Sequence, residues 1–139
     1  MIEYKELVRR AFTARKKAYA PYSDFQVGAA LLCEDGRVYE GCNIENAAFG
    51  VSQCAERTAL FTAVCEGERS FTAIAVVGGR REAEAFELCP PCGICRQALT
   101  EFCDPDVFEV VLARSETDYQ VYKLKEVFPL GFTQKDMSR

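Results

Sequence analysis

Two short cysteine motifs constrain this chain more than any other feature: Cys54-Ala55-Glu56 and Pro91-Cys92-Gly93-Ile94-Cys95. Two cysteines separated by two residues can bind one metal ion from a single turn, and zinc takes thiolate ligands readily. A catalytic zinc has three protein ligands and an open fourth position for water. Cys54, Cys92 and Cys95 would supply the three, and Glu56 lies close enough to reach the water without binding the metal. The fold must therefore bring two distant segments together.

The cysteine spacing alone leaves other interpretations open. A single Cys-x-x-Cys is also typical of a structural zinc half-site or a redox pair. Cys89 and Cys92 have the same spacing, so a closed four-thiolate site that includes Cys89 is an alternative. Pro90-Pro91 argues against it, because this pair favours an extended approach that keeps Cys89 away from the turn. The other cysteines are most simply small buried apolar residues: Cys33, Cys42, Cys65 and Cys103.

The composition of the 139-residue chain bounds its function. The length suits one domain over residues 1–139, in which 133–139 are expected to be a mobile tail. No apolar run reaches the length of about eighteen residues that a membrane span needs, and no signal peptide is evident, so the cytoplasm is the expected compartment. The net charge of −4 argues weakly against a nucleic-acid partner. Without histidine, Ser-His and Cys-His catalysis are excluded.

The order of the predicted elements indicates an α/β fold. Apolar periodicity predicts helices over residues 3–18, 54–66 and 93–102, and strands over 25–32, 37–42, 71–77, 107–113 and 120–124. This order predicts a three-layer α/β/α sandwich around a five-stranded mixed sheet, which begins with a hairpin at Asp35-Gly36. Each cysteine motif falls where a loop enters a helix. Two crossover helices on one sheet face would bring the motifs together at their positive N-termini.

Four segments carry a resemblance to a known family. They are Phe25-Gln26-Val27-Gly28-Ala29-Ala30-Leu31, Gly41-Cys42-Asn43-Ile44-Glu45-Asn46-Ala47, Cys54-Ala55-Glu56-Arg57-Thr58-Ala59 and Pro91-Cys92-Gly93-Ile94-Cys95-Arg96-Gln97. Together they resemble the small homotetrameric zinc-dependent cytidine deaminases, from about the first helix to Phe132. Each segment alone is a weak signal, and their joint occurrence is specific.

The resemblance implies a reaction and a cofactor. Cys54, Cys92 and Cys95 would hold one zinc ion per chain, which lowers the pKa of its water. Glu56 would take the water proton, pass one to N3 of the pyrimidine and deliver one to the leaving ammonia. Hydroxide attack at C4 would convert cytidine and 2′-deoxycytidine to uridine and 2′-deoxyuridine, which is a step of pyrimidine salvage.

The resemblance also implies substrate contacts. Asn43 and Glu45 would hold the ribose, Phe25 would pack on the base, and the backbone at Ala55 would read the base edge. Main-chain groups near Ala47 and the ring of Phe132 would reach the base in a neighbouring subunit of a homotetramer. Taken singly, Glu45 and Glu56 could equally be surface acids, Asn43 a turn residue, and Phe25 and Phe132 core residues.

Two positions depart from the family pattern. Phe49 stands where many members have tyrosine, so a hydroxyl contact to the ribose 5′ end is expected to be missing. Ile94 replaces a common alanine and is expected only to fill space towards the core.

The charge of three thiolates on one zinc, a net −1, calls for compensation. Helix N-termini supply part of it, and Arg57 is expected to donate hydrogen bonds to the ligand sulfurs.

Three classes of function remain compatible with these residues. The preferred one is a deaminase of free nucleosides. The second is a deaminase of a base, a nucleotide, an aminonucleoside or a polynucleotide, against which the Asn43-x-Glu45 pair and the acidic balance argue. The third is a zinc-structured binding module, which predicts four protein ligands and no bound water. A thiol redox protein is a weaker fourth class.

Overall fold

A five-stranded mixed sheet forms the middle layer of the protein. The computed structural model describes residues 1–138. The strands are β1 (Phe25–Cys33), β2 (Val38–Cys42), β3 (Phe71–Arg80), β4 (Glu109–Ala113) and β5 (Tyr119–Lys123), in the spatial order β2-β1-β3-β4-β5. The pairs β1–β2, β1–β3 and β4–β5 are antiparallel, and β3–β4 is parallel. The five predicted strands and the mixed sheet are confirmed, although β3 runs to Arg80 rather than residue 77 and β4 begins two residues later than predicted.

The helices lie on both faces of the sheet, as predicted. They are α1 (Tyr4–Arg15), α2 (Ala55–Cys65), α3 (Gly93–Phe102), α4 (Leu124–Val127) and α5 (Gln134–Met137), with a short 3-10 turn over Phe49–Val51. Helix α1 ends three residues earlier than predicted, because Lys17 and Ala18 already donate turn-type hydrogen bonds to Ala14 and Arg15. No helix within residues 1–138 combines the length and apolar character needed to cross a membrane.

Side-chain alternation along the strands creates two separate cores. One side of each central strand packs under α2 and α3, and the other side packs under α1. This period of two is what a sheet covered on both faces requires. The α2/α3 core includes Leu31, Ile74, Val76, Val110, Leu112, Leu60 and Leu99, and the α1 core includes Leu7, Val8, Ala30, Leu32, Ala75, Val77 and Val111.

Two glycines allow helices to approach the sheet closely. A Cβ at Gly28 would lie 2.0 Å from the carbonyl oxygen of Ala11 in α1. A Cβ at Gly41 would lie 2.4 Å from the carbonyl oxygen of Ala55 and 2.5 Å from the backbone nitrogen of Ala59. Real side-chain carbons do not approach backbone atoms so closely, so only glycine fits at either position. Gly41 thereby allows the first turns of α2 to pack closely against β2.

The C-terminal segment contains a one-turn helix. In α5, Gln134 Nε2 donates a hydrogen bond of 2.6 Å to Glu101 of α3. The predicted mobility of the segment through residue 138 stays a prediction, and Arg139 lies outside the described residues.

Candidate metal centre and catalytic cavity

The N-termini of α2 and α3 bring the two cysteine motifs together. Cys54 and Cys92 occupy the N-cap positions of α2 and α3, and Cys95 lies in the first turn of α3. Both helices pack on the same sheet face. The backbone N–H of Cys95 donates to Cys92 Sγ at 3.5 Å, which orients that sulfur over the helix terminus. Helix N-termini carry partial positive charge, so they stabilise thiolates placed there.

The three sulfur atoms fit one zinc ion. Cys54 Sγ lies 3.7 Å from Cys92 Sγ, which lies 3.5 Å from Cys95 Sγ, and all three atoms are within 4.8 Å of one another. Tetrahedral zinc with Zn–S bonds of about 2.3 Å separates its sulfurs by roughly 3.8 Å. The thiols are therefore already spaced as zinc ligands, and three ligands leave one position open.

Cys89 does not join this cluster. It is not among the cysteines whose sulfur atoms lie within 4.8 Å of one another at the site. Burial raises the pKa of Cys89 to about 11. The pKa of Cys95 is raised too, so it is the distance that argues against the closed four-thiolate alternative.

Arg57 supplies a positive charge beside the sulfurs. Its Nη2 donates a hydrogen bond of 3.3 Å to Cys54 Sγ, from one turn along α2. Hydrogen bonds from Cys95, Arg57 and Cys92 lower the pKa of Cys54 to about 5. The same hydrogen bond between Cys95 and Cys54 raises the pKa of Cys95. One of the three thiols is thus ionised readily, as metal binding requires.

Glu56 is a buried carboxyl group at the same place. Its side chain is only 4% exposed, although it lies in the first turn of α2. Burial raises its pKa to about 7 from an ordinary 4.5. A carboxyl group with a pKa near the working pH can both accept and release a proton, which suits general acid–base catalysis.

A cavity of about 260 Å³ joins Glu56 to the thiols of Cys54 and Cys92 and to the expected sugar-binding residues. Its walls come from β1, from the segment that follows β2, from the start of α2 and from the approach to α3. The lining residues are Val27, Asn43, Glu45, Ser52, Gln53, Cys54, Ala55, Glu56, Cys89, Pro90 and Cys92.

Asn43 and Glu45 are held firmly in the cavity wall. Asn43 Nδ2 donates to the carbonyl oxygen of Phe25 at 2.8 Å, and its Oδ1 accepts from the N–H of Val27 at 2.9 Å. Glu45 accepts from the backbone N–H groups of Tyr22 and Ser23 at 3.0 and 3.1 Å. It also accepts from the Ser23 hydroxyl.

Ala55 also lines this cavity, whereas the remaining expected contact residues do not line it within one chain. Phe25 borders a neighbouring cavity of about 450 Å³, and Phe49 stacks edge-on with Tyr22 on the surface. Ala47 is exposed, and Phe132 is 56% exposed beside α3, where its backbone forms hydrogen bonds with the Gln97 side chain. The expectation for Ile94 is wrong in its location: Ile94 is 64% exposed on the first turn of α3.

Several cavity residues were not predicted from the sequence. Val27, Ser52, Gln53 and Pro90 line the wall, and nothing in their residue types signals chemistry. Their place next to a predicted motif residue was the only signal. Arg96 was also missed; it donates to the carbonyl oxygens of Pro91 (2.7 Å) and Val127, and so ties the Cys92 turn to α4.

The sequence matches the family model for the cytidine and deoxycytidylate deaminase zinc-binding region over residues 1–111. The chain belongs to this deaminase family. The site agrees with this membership, because it holds three thiols and one buried carboxyl group. The matched family region binds zinc, and zinc is a metal that three thiolates bind well.

Several cytidine deaminases are similar to this deaminase over almost its whole length. It is 49% identical over 132 residues to a cytidine deaminase of Halalkalibacterium halodurans, which spans 95% of this chain and 96% of the relative. It is 44% identical to a cytidine deaminase of Sporosarcina psychrophila, over 99% and 96% of the two chains. The crystal structure of a cytidine deaminase from Burkholderia pseudomallei matches with a TM-score of 0.85 at 46% identity, over 94% of this chain and all of the other.

Proposed function

We propose that the protein catalyses the hydrolytic deamination of cytidine and 2′-deoxycytidine to uridine and 2′-deoxyuridine, with release of ammonia. The observation that carries the proposal is the placement of Glu56 and the thiols of Cys54 and Cys92 in one cavity with Asn43 and Glu45. The third thiol, that of Cys95, lies within 4.8 Å of the other two. The relatives named cytidine deaminase support the same substrate class.

The roles of the cavity residues follow from their chemistry. Cys54, Cys92 and Cys95 would hold zinc, which supplies a water molecule of lowered pKa as the nucleophile. Glu56 would accept a proton from the attacking water and pass it to N3 of the pyrimidine. It would then accept a second proton from the new hydroxyl group at C4 and pass it to the amine, which leaves as ammonia. Because Glu56 is buried, the proton moves between carboxyl and substrate without passing through bulk water.

Glu45 and Asn43 retain hydrogen-bonding capacity for a ribose. A carboxylate has about four acceptor positions, of which Glu45 uses three on the 22–23 turn. Asn43 uses one N–H and one lone pair on β1, so one of each remains. Both side chains are therefore fixed by the protein yet free to bind ribose hydroxyls, which favours a nucleoside over a free base.

A homotetramer with shared active sites belongs to the same proposal. An apolar groove of about 530 Å³ lies beside the catalytic cavity and shares Glu45 and Gln53 with it. Exposed apolar side chains of Ile44, Val51 and Phe61 line this groove. A second copy of the chain seated there would cover these side chains, and Phe132 could then reach the cavity of a neighbour.

Ultraviolet absorbance of cytidine tests the proposed reaction directly. Purified zinc-loaded protein should convert cytidine to uridine, and Glu56→Gln should lose activity by about 10²- to 10⁴-fold or more. The variant should keep one zinc per chain by atomic absorption, since Glu56 is not a ligand. Tight zinc with no conversion of any aminopyrimidine nucleoside by the parent protein would instead favour a structural zinc module.

Subunit complementation tests the shared site. Sedimentation should give a mass of four chains. Co-expression of Glu56→Gln with Phe132→Ala should yield mixed oligomers more active than either variant alone, because some cavities then combine an intact Glu56 with an intact Phe132. If the mixed oligomers were no more active than the two variants measured separately and averaged, Phe132 would not contribute to the cavity of a neighbouring subunit.

A further inference from the structure

A second polar cavity lies on the α1 side of the protein, away from the catalytic cavity. It measures about 790 Å³ and is lined by Phe12, Arg15, Lys16, Ala18, Gln26, Arg81, Ala83 and Phe86; we call it the basic cavity. Gln26 and Val27 are successive residues of β1, so their side chains leave opposite faces of the sheet. Val27 therefore lines the catalytic cavity, whereas Gln26 lines the basic cavity.

Arg15 is a buried cation without an acidic partner among residues 1–138. It is 6% exposed, and its Nη2 donates to the carbonyl oxygens of Gly79 (2.9 Å) and Arg80. Its guanidinium carbon lies 4.7 Å from the centre of the Phe86 ring. The Nε group has no hydrogen-bond partner within the described chain. A buried guanidinium compensated only by carbonyls and a ring keeps most of its positive charge uncompensated.

Gln26 is a second buried polar side chain in the same wall. It is 7% exposed, and none of the hydrogen bonds within residues 1–138 involves its side-chain amide. The amide is not sealed from solvent and has no protein partner among the described residues, so it is free to bind a ligand that enters the cavity.

The charge of the basic cavity is positive. Arg15, Lys16 and Arg81 line it, and no acidic residue within residues 1–138 does. Arg81 lies 3.6 Å from Asp24, which offsets part of its charge. The C-terminus of α1 adds about half a negative charge, which the cations outweigh.

We propose that the basic cavity binds the phosphate group of a small phosphorylated molecule. Phosphate matches the donors present, because a guanidinium, an amide and an ammonium group can all donate to its oxygens. Phe12 and Phe86, whose rings pack edge-to-face at 5.2 Å, offer an apolar surface to the organic part of such a ligand.

Calorimetric titration of the zinc-loaded protein with inorganic phosphate, at constant ionic strength, tests the proposal. One saturable site per chain is expected, with affinity that falls as sodium chloride is raised. Lys16→Gln should weaken binding by about ten-fold, whereas Lys17→Gln, which removes the same charge from the next exposed residue outside the cavity, should have little effect. Equal losses in the two variants, or no saturable binding, would overturn the proposal.

Gln26→Leu separates binding from folding. Leucine has a similar volume and removes an amide without a partner, so thermal stability should be kept while phosphate affinity falls several-fold. Phosphate should also shift the Gln26 side-chain amide signals in a nitrogen-15 NMR spectrum of the parent protein. Unchanged phosphate affinity in Gln26→Leu would contradict the site.

Phenyl phosphate distinguishes the two sources of the phosphate group. Tighter binding than inorganic phosphate, lost in Phe12→Ala, would identify an organic phosphate as the ligand. Equal binding of the two probes would identify free phosphate.

Discussion

Arg57 Nη2 lies 3.3 Å from Cys54 Sγ and donates a hydrogen bond to it. The two residues are about one helical turn apart at the start of α2, a spacing at which side chains meet on one face of the helix. A positive side chain therefore always accompanies the first thiol of the cluster.

Removing the Arg57 charge should loosen the metal and slow the reaction. Arg57→Gln leaves three negative sulfurs with only the helix termini to balance them, so zinc should leave faster to a chelator and kcat should fall about ten-fold or more. Arg57→Lys should be intermediate, since it keeps the charge without the planar guanidinium. Zinc release to a colorimetric chelator measures the first effect. Release at the parent rate in Arg57→Gln would show that the contact is only structural.

The three-thiol cluster predicts different outcomes for neighbouring cysteines. Cys89→Ser should keep one zinc per chain, because Cys89 is outside the cluster. Cys92→Ser should lose zinc at least ten-fold more readily, because a hydroxyl is a much poorer ligand than a thiolate. Metal analysis after dialysis compares the two variants. Zinc loss in Cys89→Ser equal to that in Cys92→Ser would indicate that Cys89 is a fourth zinc ligand.

Local signals explain how much of the fold was predictable. Helix α3 begins and ends where the periodicity placed it, at Gly93 and Phe102. The strand order was not predictable in the same way: β1 lies between β2 and β3, because α2 carries the chain over one strand before it returns. Helix α4 was missed because four residues, Leu124–Val127, are too few to show a helical period.

The residues of the candidate site also differ in whether the sequence alone predicts them. The thiols and Glu56 belong to short motifs whose spacing carries the chemistry, so the sequence was sufficient to single them out. Gln53 and Val27 enter the cavity wall only through tertiary packing, in which Gln53 pairs with Ile44 across an isolated bridge. Phe132 lies outside the cavity of its own chain, and a single chain holds no partner that could bring it in.

A methyl group at Gly41 should displace α2 and with it the metal centre. In Gly41→Ala the new Cβ would meet Ala55 and Ala59 backbone at 2.4 and 2.5 Å, so stability should fall by about 1–3 kcal/mol or more. Gly50→Ala is a matched control, because its Cβ would meet nothing within 4 Å. Urea unfolding and zinc retention should both distinguish the variants. Equal unfolding midpoints for the two would contradict the close approach.

The contact between Tyr4 and Glu109 should make stability depend on pH at the acid end. The Tyr4 hydroxyl donates to Glu109, which also accepts from Lys123 Nζ at 3.1 Å, so these bonds tie α1 to β4 and β5. The Tyr4 hydrogen bond, followed by Lys123, lowers the pKa of Glu109. A carboxylate with a lowered folded-state pKa adds stability that is present above its unfolded pKa of about 4.3 and is lost as pH falls through the folded value.

Tyr4→Phe should therefore cost about 1 kcal/mol of unfolding free energy at pH 7 and progressively less below pH of about 4. Urea unfolding of the zinc-free protein, in chelator and reductant, measures this at both pH values without a contribution from metal loss. Tyr119→Phe is the control: it removes a hydroxyl from the same cluster, and no hydrogen bond within residues 1–138 involves that hydroxyl. If the cost of Tyr4→Phe were the same at pH 7 and pH 3, the charge on Glu109 would not be what strengthens the contact.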